Sequence, residues 1–467
     1  MPAFSGKFQY LNPDGTIAQS GLCHLTFEAE TLTLTPAGGP PITFDLGDIE
    51  VFAPADYELT LTLYTGKKIV LNQFGKTFQG LSHDLLEAYR KRLIECLLLE
   101  DLEEVARFDG VVRLESPART FSSPAEFRLY QSNLAVLPTG ATGLQWRLAD
   151  IDAVNFNETT YAVTLSSADA RLSATKLAKR TREFQEQLQA ARTQLAEKAA
   201  ETLHDIFPFL IPDEFQQLAQ LLKEGHAASL AQLKAINPKI EKALIENVID
   251  PKLKPYFDAL LGRAPAGWLY SGFKLLREEE AEEATTETAP QPGEAATQAE
   301  ASPQVESAST SAEADAGTMT AGAEAEAKQP ILHWFFFPLA PKPGAKLPAN
   351  LVAWEATSKS GRATYFFRLV PPEQAPLLAD PAKAQAVVDA AIRELNRALV
   401  LLNFRREPIY IPDDSLEIQP RFRRYAIACR KLPELRRLRA SFLGRAIHTS
   451  LENWRGQVDE FLAKVVP

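Results

Sequence analysis

The sequence contains an internal repeat, and this feature limits the architecture more than any other. The segment from Glu30 to Glu50 aligns without a gap to the segment from Ser132 to Asp152, 102 positions further along. Most matched positions are apolar or turn residues: Leu32 with Leu134, Pro36 with Pro138, Gly38 with Gly140, Leu46 with Leu148, Asp48 with Asp150, and Ile49 with Ile151. Because a repeat at a fixed period corresponds to one structural unit per copy, the first half of the chain is predicted to hold two similar units.

Each copy is predicted to consist of short strands followed by one helix. Alternating apolar residues, separated by turns rich in Gly and Pro, predict strands in the first copy around Phe8 and Tyr10 and at 22–28, 31–35, 42–46, 57–63 and 69–71. The apolar spacing then changes to three and four residues, which predicts a helix at 77–100 and another at 179–206. Short strands closed by one amphipathic helix indicate an α+β unit, in which the helix covers an open end of a bent sheet.

The strand order, the closing helices and a short repeated motif resemble those of a known superfamily. The motif is Leu46-Gly47-Asp48-Ile49 in the first copy and Leu148-Ala149-Asp150-Ile151 in the second, each ahead of a loop and a further strand. These features resemble pleckstrin-homology-like (PH-like) and GRAM-like barrels. The resemblance implies two tandem PH-like β-barrels, at 1–103 and 104–206, each closed by a C-terminal helix. It also implies either phosphoinositide recognition or protein–protein contacts.

The loop after the first strand distinguishes these two activities. Family members often bind phosphoinositides through Lys and Arg residues in this loop. Here the loop from Leu11 to Gly21 contains neither residue, and the loop from Ser116 to Ala125 contains only Arg119. One or two exposed cations contribute about 1 kcal/mol each to membrane binding, which is too little for stable anchoring. The sequence therefore favours protein–protein contacts.

The repeated pair Asp48 and Asp150 has two interpretations. One is a pair of functional acids, and the other is a turn or cap aspartate that precedes a loop. Short carboxylate side chains commonly accept hydrogen bonds from nearby backbone N–H groups in turns. We therefore favour the turn or cap interpretation.

The second half of the chain divides by composition. Residues 207–264 are predicted to form a helical connector made of short helices. The segment 277–330 has almost no aromatic or branched apolar residues and holds thirteen acidic residues. A segment of this composition is predicted to be a disordered acidic linker. A C-terminal α+β domain is predicted at 331–467. If a strand at 266–276 belongs to that domain, the acidic segment is an inserted loop.

A basic segment lies within the C-terminal domain. Between Arg421 and Arg445 there are nine basic residues and one acid. The basic residues are Arg421, Arg423, Arg424, Arg430, Lys431, Arg436, Arg437, Arg439 and Arg445. Three interpretations stay open: a solvated helix face, a docking surface for an acidic protein segment such as 278–326 itself, and a surface for nucleic acid or anionic membrane. No recognised nucleic-acid motif accompanies the segment.

Motifs for catalysis or metal binding are not evident in the sequence. The six histidines are isolated from one another, and Gly75-Lys76-Thr77 lacks the upstream glycine of a phosphate-binding loop. Three widely spaced cysteines argue against a disulfide framework and suit a reducing compartment. We therefore expect no catalytic, cofactor-binding or metal-binding residues, and a cytoplasmic location.

Two functions follow as hypotheses. The first is a non-enzymatic interaction or scaffold protein that uses its tandem PH-like domains to contact an unknown protein partner. The alternative is a polyanion-binding protein that acts through the basic segment 421–445 and is restrained by its own acidic linker.

Overall fold

The computed structural model describes residues 3–276, 331–357 and 363–465 of the chain. It is a mixed α+β protein, as predicted, with three antiparallel sheets. Two of these sheets belong to the repeats and are curled. The third is formed by the second half of the chain.

The first repeat has seven strands and one long helix. The strands are β1 (Ala3–Leu11), β2 (Ile17–Phe27), β3 (Thr31–Pro36), β4 (Ile42–Asp45), β5 (Ile49–Ala55), β6 (Glu58–Leu63) and β7 (Lys68–Asn72), and the helix is α1 (Phe78–Cys96). The sheet order is β4-β3-β2-β1-β7-β6-β5. Strand β5 was missing from the sequence prediction, because a bulge after Ile49 interrupts its alternation and Pro54 lies near its end.

The second repeat has the same elements in the same order. Its strands are β8 (Glu104–Glu115), β9 (Thr120–Tyr130), β10 (Asn133–Pro138), β11 (Leu144–Arg147), β12 (Ala153–Asn157), β13 (Ala162–Ser166) and β14 (Arg171–Thr175), and its helix is α2 (Thr181–Ile206). The sheet order is β11-β10-β9-β8-β14-β13-β12. The matched apolar positions of the repeat form the interiors of both sheets: Leu32, Leu46 and Ile49 in the first and Leu134, Leu148 and Ile151 in the second are buried.

The second repeat differs in how much of its outer face is covered. In β3 the burial alternates, as expected for a sheet with one solvated face, whereas all six residues of β10 are buried. Leu134 and Val136 point into the interior of the second repeat, and Ala135 and Leu137 pack into a core shared with the first repeat. The two repeats therefore pack directly against each other.

The segment between the repeats and the third sheet contains helices and one short strand. The helices are α3 (Pro212–Leu221), α4 (Leu230–Ile236), α5 (Lys239–Val248) and α6 (Lys254–Leu261), and strand β15 (Ala227–Ser229) precedes α4. Ser229 caps α4, because its side chain accepts a hydrogen bond from the Ala231 N–H group. The sequence predicted only helices here. Strand β15 departs from that prediction because its residues pair with the third sheet.

The third sheet has six strands in sequential order. After β15 they are β16 (Tyr270–Leu275), β17 (Ile331–Pro338), β18 (Val352–Ala356), β19 (Ala363–Phe367) and β20 (Phe442–Ile447). Tyr270 pairs with Phe336, and Leu275 pairs with Ile331. Residues 277–330 therefore join two neighbouring strands of one sheet; their predicted disorder lies outside the residues that the structure describes.

The remaining helices surround this sheet. They are α7 (Ala384–Leu401), α8 (Glu407–Tyr410), α9 (Asp413–Ile418), α10 (Arg423–Lys431), α11 (Pro433–Ser441) and α12 (Leu451–Ala463). In β17, Trp334 and Phe336 face a core shared with the first repeat, whereas Phe335 and Phe337 face a core shared with α6 and α12. The sheet thus holds the two halves of the chain together.

Candidate docking surface at the corners of the two repeats

Each repeat turns a corner between its fourth and fifth strands through a short 3₁₀ turn. These turns are Leu46–Asp48 and Leu148–Asp150, so they contain the repeated aspartates. The cap of the first turn is Asp45, whose Oδ1 accepts a hydrogen bond of 2.7 Å from the Gly47 N–H group. Asp48 lies in the turn, as predicted, but it is not the cap, and its carboxylate is left for longer-range contacts.

The carboxylate of Asp48 binds two arginines of helix α10. The Arg423 Nη2 atom lies 2.8 Å from Oδ2, and the Arg430 Nη2 atom lies 2.5 Å from Oδ1. Glu417, at the end of α9, contacts both arginines. The Asp48 side chain is only 7% exposed, so its charge is stabilised by these partners and not by water.

A third cation of the same helix is buried beside this corner. The Lys431 ammonium group donates a hydrogen bond of 3.0 Å to the Ile49 carbonyl, and the residue is 5% exposed. Burial lowers the pKa of Lys431, although the nearby Cys96 and Glu50 act in the opposite direction. Helix α10 is thus fixed to the corner at three points.

Glycine at position 47 permits the close approach of α10. A Cβ atom on Gly47 would lie 2.9 Å from the Cδ1 atom of Ile427 and 2.8 Å from the Sγ atom of Cys96. Ile427 is fully buried at the centre of α10. The corresponding residue of the second repeat is Ala149, and among the residues that the structure describes a different segment, around His226, contacts that corner.

The second corner holds the segment that follows α3. The His226 Nε2 atom lies 2.8 Å from Asp150 Oδ1. Arg147 lies 3.8 Å from the same carboxylate and 2.9 Å from Glu224 Oε2. Burial alone would raise the pKa of Asp150, but Arg147 and His226 outweigh it and hold the pKa below its ordinary value.

Gly225 makes this second contact compact. Its φ of +69° lies in the left-handed region, and a Cβ atom there would lie 1.9 Å from the Arg147 Nη2 atom. Its carbonyl accepts hydrogen bonds from Arg147 and from Asn396 of α7. Asn396 in turn accepts a hydrogen bond of 2.9 Å from Trp334 Nε1. The second repeat, the connecting segment and the third sheet therefore meet at one buried polar junction.

The structure divides the nine predicted basic residues among different environments. Arg423, Arg430 and Lys431 meet at the first corner. Arg424 pairs with Glu100 at 2.7 Å, Arg437 with Glu394 at 3.0 Å, and Arg439 with Asp413 at 2.5 Å. Arg421 and Arg445 stack on the rings of Phe422 and Tyr410, and Arg436 is exposed. The proposed partner segment 278–326 lies outside the described residues.

Sequence reasoning missed the residues that complete the two corners. Glu417, Glu224, Gly225 and His226 carried no signal of their own, because their partners lie far away along the chain. The only pointer was the repeated aspartate, which marked both corners without identifying what binds there.

The cavity at the buried junction is small. A polar cavity at the buried junction, lined by residues that include Arg147, Glu224 and Lys274, has a volume of about 30 Å³. That is room for a water molecule and not for an organic ligand. Within the described residues, no group of three or more His, Cys, Asp and Glu side chains is arranged to hold a metal ion. Helices in those same ranges are too short or too polar to cross a membrane.

Comparison of the chain with models of protein families and with curated proteins gives no match.

Proposed function

We propose that this chain is a non-enzymatic scaffold protein that uses two tandem PH-like units for protein–protein contacts. The observation that carries the proposal is that both repeats use the same corner to bind a distant protein segment. Asp48 binds Arg423 and Arg430, and Asp150 contacts His226. Two copies of one unit thus perform the same kind of recognition on two different segments.

The PH-like assignment of each unit is part of this proposal. It is supported by seven antiparallel strands in identical order, by the curl of both sheets and by the helix that follows the seventh strand in each copy. The shortage of cations in the loops after β1 and β8 favours protein partners over lipid head groups. A fold of this kind does not by itself specify an activity, so the corners carry the functional argument.

The alternative, binding of nucleic acid or anionic membrane through 421–445, has less support. Six of the nine cations have an acidic or carbonyl partner within the protein, and a polyanion would compete with those partners. Arg421, Arg436 and Arg445 remain as exposed cations. Counterion release from three cations gives a weak, strongly salt-dependent interaction.

Site-specific photo-crosslinking in cells that express the full chain tests the proposal. A photoreactive amino acid is placed at the exposed residues Leu22 and Val105 of the two repeats and, for comparison, at Arg436. We expect the same protein to be crosslinked at a repeat position, to be competed away by untagged chain, and to bind the purified full chain in calorimetry. Recovery of nucleic acid or lipid, or a crosslinked protein that does not bind when purified, would count against a scaffold.

A further inference from the structure

The duplication singles out one exposed residue in each repeat. Tyr57 and Tyr161 occupy equivalent positions, in the turn between β5 and β6 and in the turn between β12 and β13. Their side chains are 66% and 63% exposed. The other identical positions named above are buried, form turns or dock onto later segments of the chain. Packing or chain geometry therefore explains why both copies retain the same residue there. Burial cannot explain the two tyrosines.

The backbone at these positions makes the choice of tyrosine costly. The φ angles are +55° at Tyr57 and +49° at Tyr161, in the left-handed region that favours Gly, Asn and Asp. Two other left-handed positions are also shared by the repeats, and both have changed residue: Gln73 corresponds to Lys176, and Gly75 corresponds to Ala178. The fold therefore retains the backbone shape at all three positions, but it retains the side chain only where that side chain is an exposed tyrosine.

An exposed carboxylate precedes each tyrosine in its turn. Asp56 and Tyr57 line a shallow groove of about 350 Å³ against α1, which also includes Phe78 and Leu86. The rings of Tyr57 and Phe78 are 5.9 Å apart. In the second repeat Glu158 precedes Tyr161 in the same turn and forms an exposed ion pair with Arg182, at 3.3 Å, which exchanges partners at little cost.

Four other tyrosine rings of this protein have a cation of the same chain stacked on them. Arg430 lies 4.1 Å from the ring centre of Tyr64, Arg445 lies 3.9 Å from that of Tyr410, and Lys67 lies 5.3 Å from that of Tyr10. Within the described residues, no cation stacks on Tyr57 or Tyr161. Their exposed ring faces are therefore available to a cation from outside, which the neighbouring carboxylate would also attract.

We propose that Tyr57 with Asp56, and Tyr161 with Glu158, form two equivalent docking sites for a protein segment that carries arginine or lysine. The net negative charge of the first repeat would attract such a segment, because residues 3–100 hold twelve acidic and seven basic residues. Tyrosine is also among the residues that contribute most to protein–protein binding. This inference rests on the proposed scaffold function and supplies the chemistry of the partner.

Binding of defined peptides to the full chain tests the inference. Three fluorescein-labelled peptides are compared by fluorescence anisotropy: one with alternating Arg and Gly, one with alternating Glu and Gly, and one with alternating Ser and Gly. We expect the arginine peptide to bind at least about tenfold more tightly than the other two, with an affinity that falls as salt rises. Equal binding of the glutamate peptide, or no binding of the arginine peptide, would overturn the proposal.

Variants locate the binding to the tyrosines. The pair Tyr57→Ala and Tyr161→Ala is expected to weaken binding of the arginine peptide at least about fivefold, whereas Tyr57→Phe with Tyr161→Phe should keep it, because the ring is retained. The matched control is Ile211→Ala with Ile418→Ala, which removes two exposed side chains outside the repeats, 59% and 78% exposed. An equal loss in the control, or no loss in the alanine pair, would show that the tyrosines are not the site.

Stability provides an independent readout. Because asparagine tolerates the left-handed backbone better, Tyr57→Asn and Tyr161→Asn should leave the midpoint of thermal unfolding unchanged or raise it, while peptide binding falls. A lower midpoint would mean that the tyrosines serve the fold, and would overturn the proposal. If crosslinking identifies a protein partner but the arginine peptide does not bind, the tyrosine sites are wrong and the scaffold function stands. If the arginine peptide binds through the tyrosines but crosslinking finds no protein partner, the tyrosine sites stand and the scaffold function is wrong.

Discussion

The carboxylate of Asp48 in the first repeat lies 2.8 Å from the guanidinium group of Arg423, 375 residues further along the chain. The contact forms within a core that joins the first repeat to the C-terminal helices, where Ile427 packs against Gly47. The same corner of the second repeat is contacted by His226, which lies much closer along the chain. The duplication therefore produced two equivalent corners, and the rest of the chain folds back to cover both.

Replacement of Asp48 by Asn should destabilise the protein strongly. It would leave Arg423 and Arg430 partly buried without their carboxylate, and removal of one partner of a buried ion pair typically costs about 3–5 kcal/mol. Because both arginines keep some solvent contact and retain Glu417, we expect the free energy of unfolding to fall by about 2–3 kcal/mol in urea titrations. Asp56→Asn, at an exposed position, is the control and should change it by less than about 0.5 kcal/mol. Similar values for the two variants would refute the docking role.

Gly225→Ala should disrupt the buried junction. The added Cβ atom would lie 1.9 Å from Arg147 Nη2, at a residue whose φ of +69° already disfavours a side chain. Gly15→Ala is the matched control, because Gly15 has a φ of +84° but open space around it. We expect Gly15→Ala to cost about 1 kcal/mol from the backbone alone. Gly225→Ala should cost at least about 2 kcal/mol more, measured by chemical denaturation, and equal costs would show that the close approach of Arg147 is unimportant.

The depressed pKa of Asp150 predicts a contribution to acid stability. A carboxylate with a lower pKa in the folded state stabilises the protein above its unfolded pKa of about 3.9, and this contribution is lost as pH falls through the folded pKa. Between pH 5 and pH 2, the free energy of unfolding should therefore fall less steeply in Asp150→Asn than in the parent. Asp109→Asn, at an exposed carboxylate, should follow the parent curve. A parallel curve for Asp150→Asn would contradict the assigned shift.

Deletion of residues 279–328, with a short Asn-Gly turn in their place, should preserve the fold. Leu275 and Ile331 are paired neighbours in the third sheet, so a tight turn can join their strands. Shortening the connection to about a tenth of its length should stabilise the protein by about 2 kcal/mol, because less chain entropy is lost on closure. Circular dichroism and thermal unfolding would check this. A control with the same segment scrambled should behave like the parent, and a deletion variant that does not fold would disprove the expectation.

The sequence was informative where the physical signal is local. Alternation and turn residues predicted most strands of the repeats, and helical spacing predicted α1 and α2, because these patterns reflect which face of an element is buried. Strand β5 was missed where a bulge breaks the alternation, and β15 was missed because three residues carry no periodicity. The full burial of β10 was equally invisible, since it depends on the neighbouring repeat.

The sequence by itself determined the duplication, the α+β class and the two repeated aspartates at equivalent corners. It also showed the concentration of cations at 421–445. Only the tertiary structure decided which of these charges would meet: Arg423, Arg430 and Lys431 turn inward to the first corner, and Arg436 stays in solvent. The physical reason is that the energy of a charge depends on its distance to other charges and on its burial, and both are set by segments hundreds of residues apart.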